Sequence, residues 1–355
     1  MRPLHLAVIG CGFIGQRHLE AAARLDGVTV VAVVDRQERL ARETAQAFGV
    51  PTSHTDPQAV FQDPDVDAVV LAIPTAGRAQ LALRAFQAGK HVLLEKPPAM
   101  NAAEIRELLA VQGGRVGACC SSRCRLTPVA RVATEFLKTG ALGALRLVRC
   151  RAVDAAGPAP ATAPPAWRVS RALNGGGILA NWGSYDLDFL LGVTGWVLRP
   201  ERVFAQTWRI ADPLAGHVAP GSDAESHGIA LIKCANGIGL SFERGEFTAG
   251  ATEDTWQIIG ADGALRLPLM ATAADAAVIH DHWSATQGVI SETLWRSQGE
   301  PPFESDPLTD FVAAILEKRP PLTGLEQALV IQTILDGIYE SARTGRAVEL
   351  GGGAT

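Results

Sequence analysis

The stretch Leu4-His5-Leu6-Ala7-Val8-Ile9-Gly10-Cys11-Gly12-Phe13-Ile14-Gly15-Gln16-Arg17-His18 predicts an apolar strand, a glycine-rich turn and the start of a helix. The turn carries the G-x-G-x-x-G pattern. In this pattern the first glycine makes the tight turn, the second lets the backbone approach a pyrophosphate, and the third lets the helix pack on the strand. The N–H groups and positive dipole end of the helix favour an anionic diphosphate. We therefore predict a dinucleotide site formed by Gly10, Cys11, Gly12, Phe13, Ile14 and Gly15.

A second apolar run supports this site. Residues Val28 to Val34 read as a strand that ends at Asp35, about 20 residues beyond the last glycine, as the dinucleotide fingerprint requires. A carboxylate there accepts hydrogen bonds from a ribose 2′-hydroxyl and repels a 2′-phosphate. We therefore expect NAD as the cofactor. The neighbouring Arg36 keeps NADP open, because a guanidinium can bind a 2′-phosphate.

Length and charge narrow the class of protein. A chain of 355 residues is long enough for two domains, since single hydrophobic cores stop growing near 250–300 residues. The net charge of −5 argues against a nucleic-acid partner and an anionic membrane surface. The chain enters a strand directly and contains no apolar run of membrane-spanning length, so we expect no signal peptide and a cytoplasmic protein.

Strand and helix patterns alternate through the first 120 or so residues. This order predicts a doubly wound parallel sheet, a Rossmann domain, over residues 1–122. In such sheets ligands bind beyond the carboxyl ends of the strands. The segments Ile73-Pro74-Thr75 and Glu95-Lys96-Pro97 each follow an apolar run, so we expect both to line the cofactor site with the glycine turn.

The second half has a different pattern. Six β-rich runs separated by short turns predict an α+β domain over residues 123–355 with an open, largely antiparallel sheet. An open sheet of this size exposes apolar area unless it is paired, so we expect a homo-oligomer, a dimer or a tetramer.

Two stretches could carry chemistry. Lys96 follows a buried strand and precedes two prolines, a placement that favours a functional lysine over a solvated one. Further on, three glycines (174–177 reads Asn-Gly-Gly-Gly) open a helix on which Asn181, Tyr185 and Asp188 lie at i, i+4 and i+7. The alternative for this second stretch is an amphipathic helix whose polar face is simply hydrated.

These motifs, in this order, resemble the glucose–fructose oxidoreductase / inositol dehydrogenase (Gfo/Idh/MocA) family over nearly the whole chain. The residues that carry the resemblance are the glycine turn with His18, the run from Ala88 to Pro97, Trp167-Arg168 before the triple glycine, and Ser341 to Gly345. The resemblance implies a nicotinamide cofactor, a small-molecule sugar or polyol substrate, and hydride transfer at a hydroxyl carbon.

Several positions depart from the family pattern. The helix after the triple glycine usually carries Asp, then His four residues later, then Asp, whereas this chain has Asn181, Tyr185 and Asp188. Thr75 and Arg78 stand where Asn and His are common. We therefore assign acid/base chemistry to Tyr185, with Lys96 as its electrostatic partner and Asn181 as a hydrogen-bonding partner of the substrate.

The remaining substrate assignments follow from position and charge. We predict that the substrate is bound by Arg123, Trp167, Arg168, Asn181 and Asp188. Of these, Arg123 and Arg168 form an arginine pair that can bind a carboxylate or a polyhydroxyl compound, with ordinary surface ion pairing as the alternative. No metal is expected: Cys119, Cys120 and Cys124 lack a further ligand at suitable spacing, and we interpret His280-Asp281-His282 as part of a loop.

Three functions fit this pattern. The first is an NAD(P)-dependent dehydrogenase or reductase acting on a secondary hydroxyl or ketone of a sugar, a polyol or a sugar derivative. The second is an NAD-dependent glycosidase of the same fold, and the third is a non-catalytic NAD-bound sensor. Asn181 in place of Asp favours the sensor, whereas Lys96 and Tyr185 argue against it.

Overall fold

The chain divides into two compact units. The computed structural model describes residues 2–162, 164–270, 276–299 and 306–351. The first unit combines Met1–Ser122 with Ser305–Leu329, and the second combines Arg123–Glu304 with Val330–Thr355.

The first unit is built on six parallel strands in the order β3-β2-β1-β4-β5-β6. Its elements are β1 (Leu4–Ile9), α1 (Phe13–Ala22), β2 (Val28–Val34), α2 (Glu38–Phe48), β3 (Thr52–His54), α3 (Gln58–Gln62), β4 (Ala68–Leu71), α4 (Arg78–Gln87), β5 (His91–Leu94), α5 (Ala102–Gln112) and β6 (Gly117–Cys119). The strand order reverses between β1 and β4, which is the switch point where doubly wound sheets bind ligands. The predicted Rossmann sheet is therefore confirmed.

The apolar character of these strands comes from burial on both faces. Ala7 and Ile9 of β1 belong to a core with residues of α4 and α5, whereas Leu6 and Val8 belong to a core with residues of α1. Alternate side chains of a strand point to opposite faces, so a strand covered on both sides is apolar throughout.

The first unit includes a later part of the chain that the sequence pattern did not indicate. Helix α9 (Pro307–Leu316) begins after its N-cap Asp306, whose carboxylate accepts a hydrogen bond from the N–H of Leu308 at 2.8 Å. Leu308 and Phe311 are fully buried in the core that contains Leu6 and Val8. The chain returns because this face of the parallel sheet needs an apolar cover.

The second unit is built on a nine-stranded sheet in the order β14-β13-β12-β11-β7-β10-β9-β8-β15. Its elements are α6 (Pro128–Lys138), β7 (Leu145–Ala155), α7 (Arg171–Asn174), α8 (Ser184–Val193), β8 (Pro200–Trp208), β9 (His227–Cys234), β10 (Gly239–Thr248), β11 (Glu253–Gly260), β12 (Gly263–Leu267), β13 (Ala277–Ser284), β14 (Gly288–Arg296) and β15 (Val348–Glu349), and the long helix α10 runs over Leu325–Thr344. All neighbouring strands are antiparallel except β7 and β10. The predicted largely antiparallel sheet is confirmed.

One local prediction in this unit is wrong. His280-Asp281-His282 lies on β13 and not in a loop, and it pairs with β12 on one side and β14 on the other. The strand lacks the alternation of apolar and polar residues that would have predicted it, because β13 is next to the edge strand of the sheet and the side chains on both of its faces can be polar.

One face of this sheet exposes large apolar side chains. Phe204 on β8 is 55% exposed and lies opposite Leu231 on β9, which is 62% exposed. Trp208 and Ile229 are also exposed on these strands. The homo-oligomer that the open sheet suggested stays a prediction. No helix in the described ranges is long and apolar enough to cross a membrane.

A buried polar cluster ties three elements of the first unit together. His18 of α1 is 1% exposed, and its Nε2 lies 3.0 Å from Oε1 of Glu95, which follows β5. Its Nδ1 lies 3.7 Å from the carboxylate of Asp306 at the start of α9. Burial lowers the pKa of His18, but the two carboxylates outweigh it and raise the pKa to about 9.

This raised pKa predicts a pH-dependent stability. The protonated His18 contributes fully below its unfolded pKa of about 6.5, and the contribution is lost as pH rises through the folded pKa of about 9. Deprotonation of His18 should therefore lower the free energy of unfolding of the wild-type protein by on the order of 3 kcal/mol between pH of about 6.5 and pH of about 9. Urea unfolding at a series of pH values measures it.

The matched variants are His18→Gln and His54→Gln. The first removes the titrating group, so its stability profile should be flatter over this window. The second replaces a histidine on β3 of the same sheet and should keep the wild-type decline. An unchanged slope in His18→Gln would show that the cluster does not hold a proton as described.

Candidate functional site

Two glycines of the first turn are required by the chain itself. Gly10 has a φ of 100°, and a Cβ there would lie 2.3 Å from the carbonyl oxygen of Ala72, just beyond β4. A Cβ on Gly15 would lie 1.8 Å from the carbonyl oxygen of Gly10. Helix α1 therefore packs directly on the backbone of the turn, which sets the position of its N-terminus.

Gly12 differs from these two glycines. It has a φ of −69°, which any residue can adopt, and no described heavy atom lies within 4 Å of the position of its Cβ. It is also the N-cap of α1, where no side chain accepts a hydrogen bond from the helix and no acid lies in the first turn. An open space beside uncapped helical N–H groups is the environment that a pyrophosphate requires. The residues of this turn therefore fit a dinucleotide.

The next two positions of the turn are accessible. Phe13 is 75% exposed and Ile14 is 38% exposed, although both are large apolar residues. Exposed apolar side chains on either side of a backbone anion site can cover a bound nucleotide.

Asp35 lies next to the glycine turn, as predicted. Its Oδ2 accepts a hydrogen bond from the N–H of Cys11 at 3.0 Å, and its Oδ1 accepts one from the N–H of Gln37 at 2.9 Å. Each oxygen of an ionised carboxylate can accept a further hydrogen bond, so ribose hydroxyls can still be bound. Burial, together with Asp35, raises the pKa of the Cys11 thiol to about 11, so the cysteine stays neutral. Arg36 is exposed.

The segments after β4 and β5 are held by a residue to which the sequence assigned no role. Arg78, at the start of α4, is 3% exposed and donates to the carbonyl oxygen of Glu95 at 2.7 Å. It also donates to the carbonyl oxygens of Pro97 and Ile73. One guanidinium thus fixes both strand-end segments. The only signal in the sequence was that an arginine stands where the family usually has histidine.

Glu95 is itself a positioning group. It is 6% exposed, and its carboxylate contacts His18 through one oxygen and accepts a hydrogen bond from the N–H of Lys96 at 3.1 Å through the other. Lys96 is half-buried and precedes a cis peptide bond to Pro97. In the segment after β4, Ile73 is half-buried, Pro74 is exposed and Thr75 is buried. Glu95 holds the N–H of Lys96, and Arg78 holds the carbonyl oxygens of Glu95 and Pro97 on either side of it, so the backbone around Lys96 is fixed.

In the second unit, the triple glycine packs against the chain itself. A Cβ on Gly176 would lie 1.9 Å from the hydroxyl of Tyr339, and one on Gly177 would lie 1.8 Å from the carbonyl oxygen of Glu225. Gly175 has a φ of 81° and ends α7. These glycines are therefore explained by packing within the unit.

Glu225 organises this turn, although no pattern in the sequence points to this residue. Its Oε1 accepts hydrogen bonds from the N–H groups of Gly177 at 2.9 Å and Leu179 at 3.1 Å, and from the hydroxyl of Tyr339 at 2.9 Å. Burial raises its pKa, whereas these donors lower it, and the net shift is upward. The buried carboxylate thus fixes the entry into the helix that carries Asn181 and Tyr185.

The predicted polar face begins on a π-helical turn, Leu179–Gly183, and continues on α8. Asn181 is half-buried, and Tyr185 is 7% exposed with its ring 5.6 Å from that of Trp182. Asp188 is fully buried, and its Oδ1 lies 3.7 Å from Nη1 of Arg125. Asn181 and Tyr185 thus share the start of this helical segment, whereas Asp188 lies inside the unit.

Helix α8 carries a second buried carboxylate, to which the sequence assigns no role. Asp186 is 0% exposed and accepts a hydrogen bond from the indole N–H of Trp256 at 3.0 Å, while Nε of Arg244 lies 3.6 Å from its other oxygen. The guanidinium of Arg244 also stacks 5.1 Å from the ring of Trp182. This cluster anchors α8 on both sides of Tyr185.

The remaining predicted substrate residues lie in the same unit. Arg168 donates to the buried carboxylate of Glu246 at 2.7 Å, so its guanidinium is already oriented. Trp167 is 42% exposed beside it. Arg123 is half-buried in the 3₁₀ helix Cys120–Leu126.

Two family models match the chain. One describes an oxidoreductase family with an NAD-binding Rossmann fold and matches residues 4–114. The other describes the Gfo/Idh/MocA C-terminal domain and matches residues 130–266.

Three of the curated relatives that the chain matches are named sugar or polyol dehydrogenases. Levoglucosan dehydrogenase of Pseudarthrobacter phenanthrenivorans is 27% identical over 288 residues, which cover 75% of this chain and 73% of the relative. D-glucoside 3-dehydrogenase of Escherichia coli is 25% identical over 359 residues and 98% of both chains. Myo-inositol 2-dehydrogenase of Thermotoga maritima is 29% identical over 216 residues, 60% of this chain and 61% of the relative.

Solved structures share the fold. Levoglucosan dehydrogenase in its apo form superposes with a TM-score of 0.85 at 23% identity over 100% of both chains. Its complex with NADH gives a TM-score of 0.84 at 22% identity, over 99% of this chain and 100% of the other. With both domain models matched, the chain belongs to the Gfo/Idh/MocA family of oxidoreductases with an NAD-binding Rossmann fold.

Proposed function

We propose that this protein is an NAD-dependent dehydrogenase or reductase that transfers hydride between the nicotinamide and a secondary hydroxyl or ketone of a sugar, a polyol or a sugar derivative. The observation that carries the proposal is the open space at Gly12, beside the uncapped start of α1 and the carboxylate of Asp35. Family membership and the names of the curated relatives support the substrate class.

The cofactor would be held by the first unit. The turn from Gly10 to Gly15 binds the pyrophosphate, and Asp35 binds the ribose and disfavours a 2′-phosphate, so NAD is preferred over NADP. The segments Ile73–Thr75 and Glu95–Lys96, held together by Arg78, border the nicotinamide. When bound, the nicotinamide would accept a hydride, with its two electrons, from the carbinol carbon of the substrate. In the reverse direction it would return the hydride to the carbonyl carbon.

The proton is handled by the chain's own residues. In the oxidation direction Tyr185, as the phenolate, takes the hydroxyl proton, and in the reduction direction its phenol returns it. The ammonium of Lys96 is proposed to stabilise the negative charge that develops on the substrate during the reaction. Asn181, Arg123, Trp167 and Arg168 bind further substrate hydroxyls or a carboxylate. Asp188 is fully buried beside Arg125. It would therefore support substrate binding indirectly, by holding α8 in place.

The glycine turn provides a matched pair of variants. Gly12→Ala should keep the free energy of unfolding within about 1 kcal/mol, because its Cβ enters open space, and should weaken NADH binding at least about tenfold. Gly15→Ala should lose more than about 2 kcal/mol of stability, because its Cβ meets the carbonyl of Gly10. Urea unfolding and titration of NADH fluorescence measure the two effects. Unchanged NADH affinity in Gly12→Ala would remove the observation on which the cofactor site rests.

A substrate panel tests the reaction. Aldoses, inositols, anhydrosugars and sugar acids are incubated with the protein and NAD⁺, and NADH formation is followed by absorbance. Turnover of at least one compound class is expected. Release of sugar from an aryl glycoside without net NADH would identify a glycosidase instead, and cofactor binding without turnover of any compound would favour a sensor.

With an active substrate, the two tyrosines of the chain can be compared. Tyr185→Phe should lower kcat at least about a hundredfold and leave NADH binding intact, because the phenol is the proton carrier. Tyr339→Phe removes the hydrogen bond to Glu225 and should mainly lower stability, by about 1–2 kcal/mol, with kcat changed less than about tenfold. Near-normal turnover by Tyr185→Phe would rule out its proposed role.

A further inference from the structure

Three metal-binding side chains lie together on the hairpin formed by β13 and β14. His280 and His282 are two residues apart on β13 and therefore point to the same face of the sheet. The register places Glu292 of β14 directly opposite His280. One donor atom from each of these residues lies within 4.8 Å of the other two.

The two imidazoles are ordered by packing. Their rings are stacked with centroids 5.0 Å apart and 23° between their planes, and Phe136 of α6 contacts the ring of His280 at 4.7 Å. His280 is only 8% exposed. On the neighbouring strand β12, a Cβ on Gly263 would lie 2.8 Å from the carbonyl oxygen of Asp281 and 2.9 Å from Nε2 of His280, so a glycine here leaves room for both the strand and this ring.

Each imidazole has one buried nitrogen to which the described residues offer no hydrogen bond. These two atoms are Nε2 of His280 and Nδ1 of His282. Burying such an atom without a partner costs about 1–3 kcal/mol, so two neighbouring cases need an explanation. Nδ1 of His280 lies 4.0 Å from the carboxylate of Glu292, which is too far for a hydrogen bond.

We propose that His280, His282 and Glu292 bind a divalent transition-metal ion of the Zn²⁺ class. Two imidazoles and one carboxylate form a donor set that suits Zn²⁺, Co²⁺, Ni²⁺ or Cu²⁺ better than Ca²⁺ or Mg²⁺, which prefer oxygen ligands alone. Bonds of about 2.1 Å place tetrahedral donors about 3.4 Å apart. The donor atoms lie within 4.8 Å of one another, and the side chain of Glu292 is 58% exposed, so this carboxylate is free to turn toward the imidazoles while water completes the coordination.

The ion would join β14, at the edge of the sheet, to β13. Its ligands lie entirely within the second unit, and the site needs neither NAD nor substrate. The proposal is therefore independent of the proposed dehydrogenase reaction.

Zinc binding to the full chain tests the proposal. Protein dialysed against a chelator and then against metal-free buffer is titrated with ZnCl₂ by calorimetry, and Co²⁺ absorption reports the coordination number. We expect one saturable equivalent per chain and a four-coordinate Co²⁺ spectrum. Glu292→Gln changes an exposed side chain and should keep the fold, yet lower Zn²⁺ affinity at least about tenfold, and His282→Gln should abolish binding.

The matched control is His227→Gln on β9 of the same sheet. Nε2 of His227 lies 3.0 Å from Oε1 of Glu243, but neither residue belongs to a group of three metal-binding side chains among the described residues. The variant should therefore still bind one equivalent of Zn²⁺. Two results would overturn the proposal: no saturable Zn²⁺ binding by the wild-type protein, or one bound equivalent of Zn²⁺ that survives in both Glu292→Gln and His282→Gln. If the wild-type protein binds no Zn²⁺, the stacked histidines only pack against α6.

Discussion

The first unit depends on a direct contact between two backbones. Helix α1 starts where Gly15 touches the carbonyl of Gly10, and Gly10 in turn touches the carbonyl of Ala72. No side chain fits between these groups, so the helix N-terminus can occupy only one position relative to the ends of β1 and β4. Because Gly12 faces open space in the same turn, the helical N–H groups remain available to an anion. The proposed cofactor site is thus a consequence of how tightly the helix packs.

The strand ends around this turn are held by charged groups that lie inside the unit. Arg78 binds three carbonyl oxygens of the segments after β4 and β5, and Glu95 joins the N–H of Lys96 to His18. Asp306, which also caps α9, completes the cluster. Removing one member leaves its partners as buried unpaired charges, which is far more costly than losing a surface ion pair. The second unit uses the same means, since Glu225 and Asp186 fix the helical segment that carries Tyr185.

Features encoded within a short stretch of sequence could be predicted. The glycine turn and the alternation of strand and helix each depend on neighbours in the chain, and the structure has them where they were expected, with Asp35 directly after β2. Arg78, Glu225 and Asp306 act on residues far away in the sequence, and no periodicity reveals such a pair. The triple glycine cannot be interpreted from the sequence for a related reason: its close neighbours are Tyr339 and Glu225, so the glycines alone do not distinguish packing from ligand binding. Strand β13 could not be predicted because its histidines and aspartate break the apolar pattern.

Hydride transfer itself is tested most directly by isotope tracing. A substrate found active in the panel, deuterated at the carbinol carbon, is incubated with the protein and NAD⁺ in ordinary water, and the reduced cofactor is analysed by mass spectrometry and NMR. We predict one deuterium at C4 of the nicotinamide and a carbonyl at the oxidised carbon. Deuterium released into water, with none on the cofactor, would contradict a dehydrogenase mechanism.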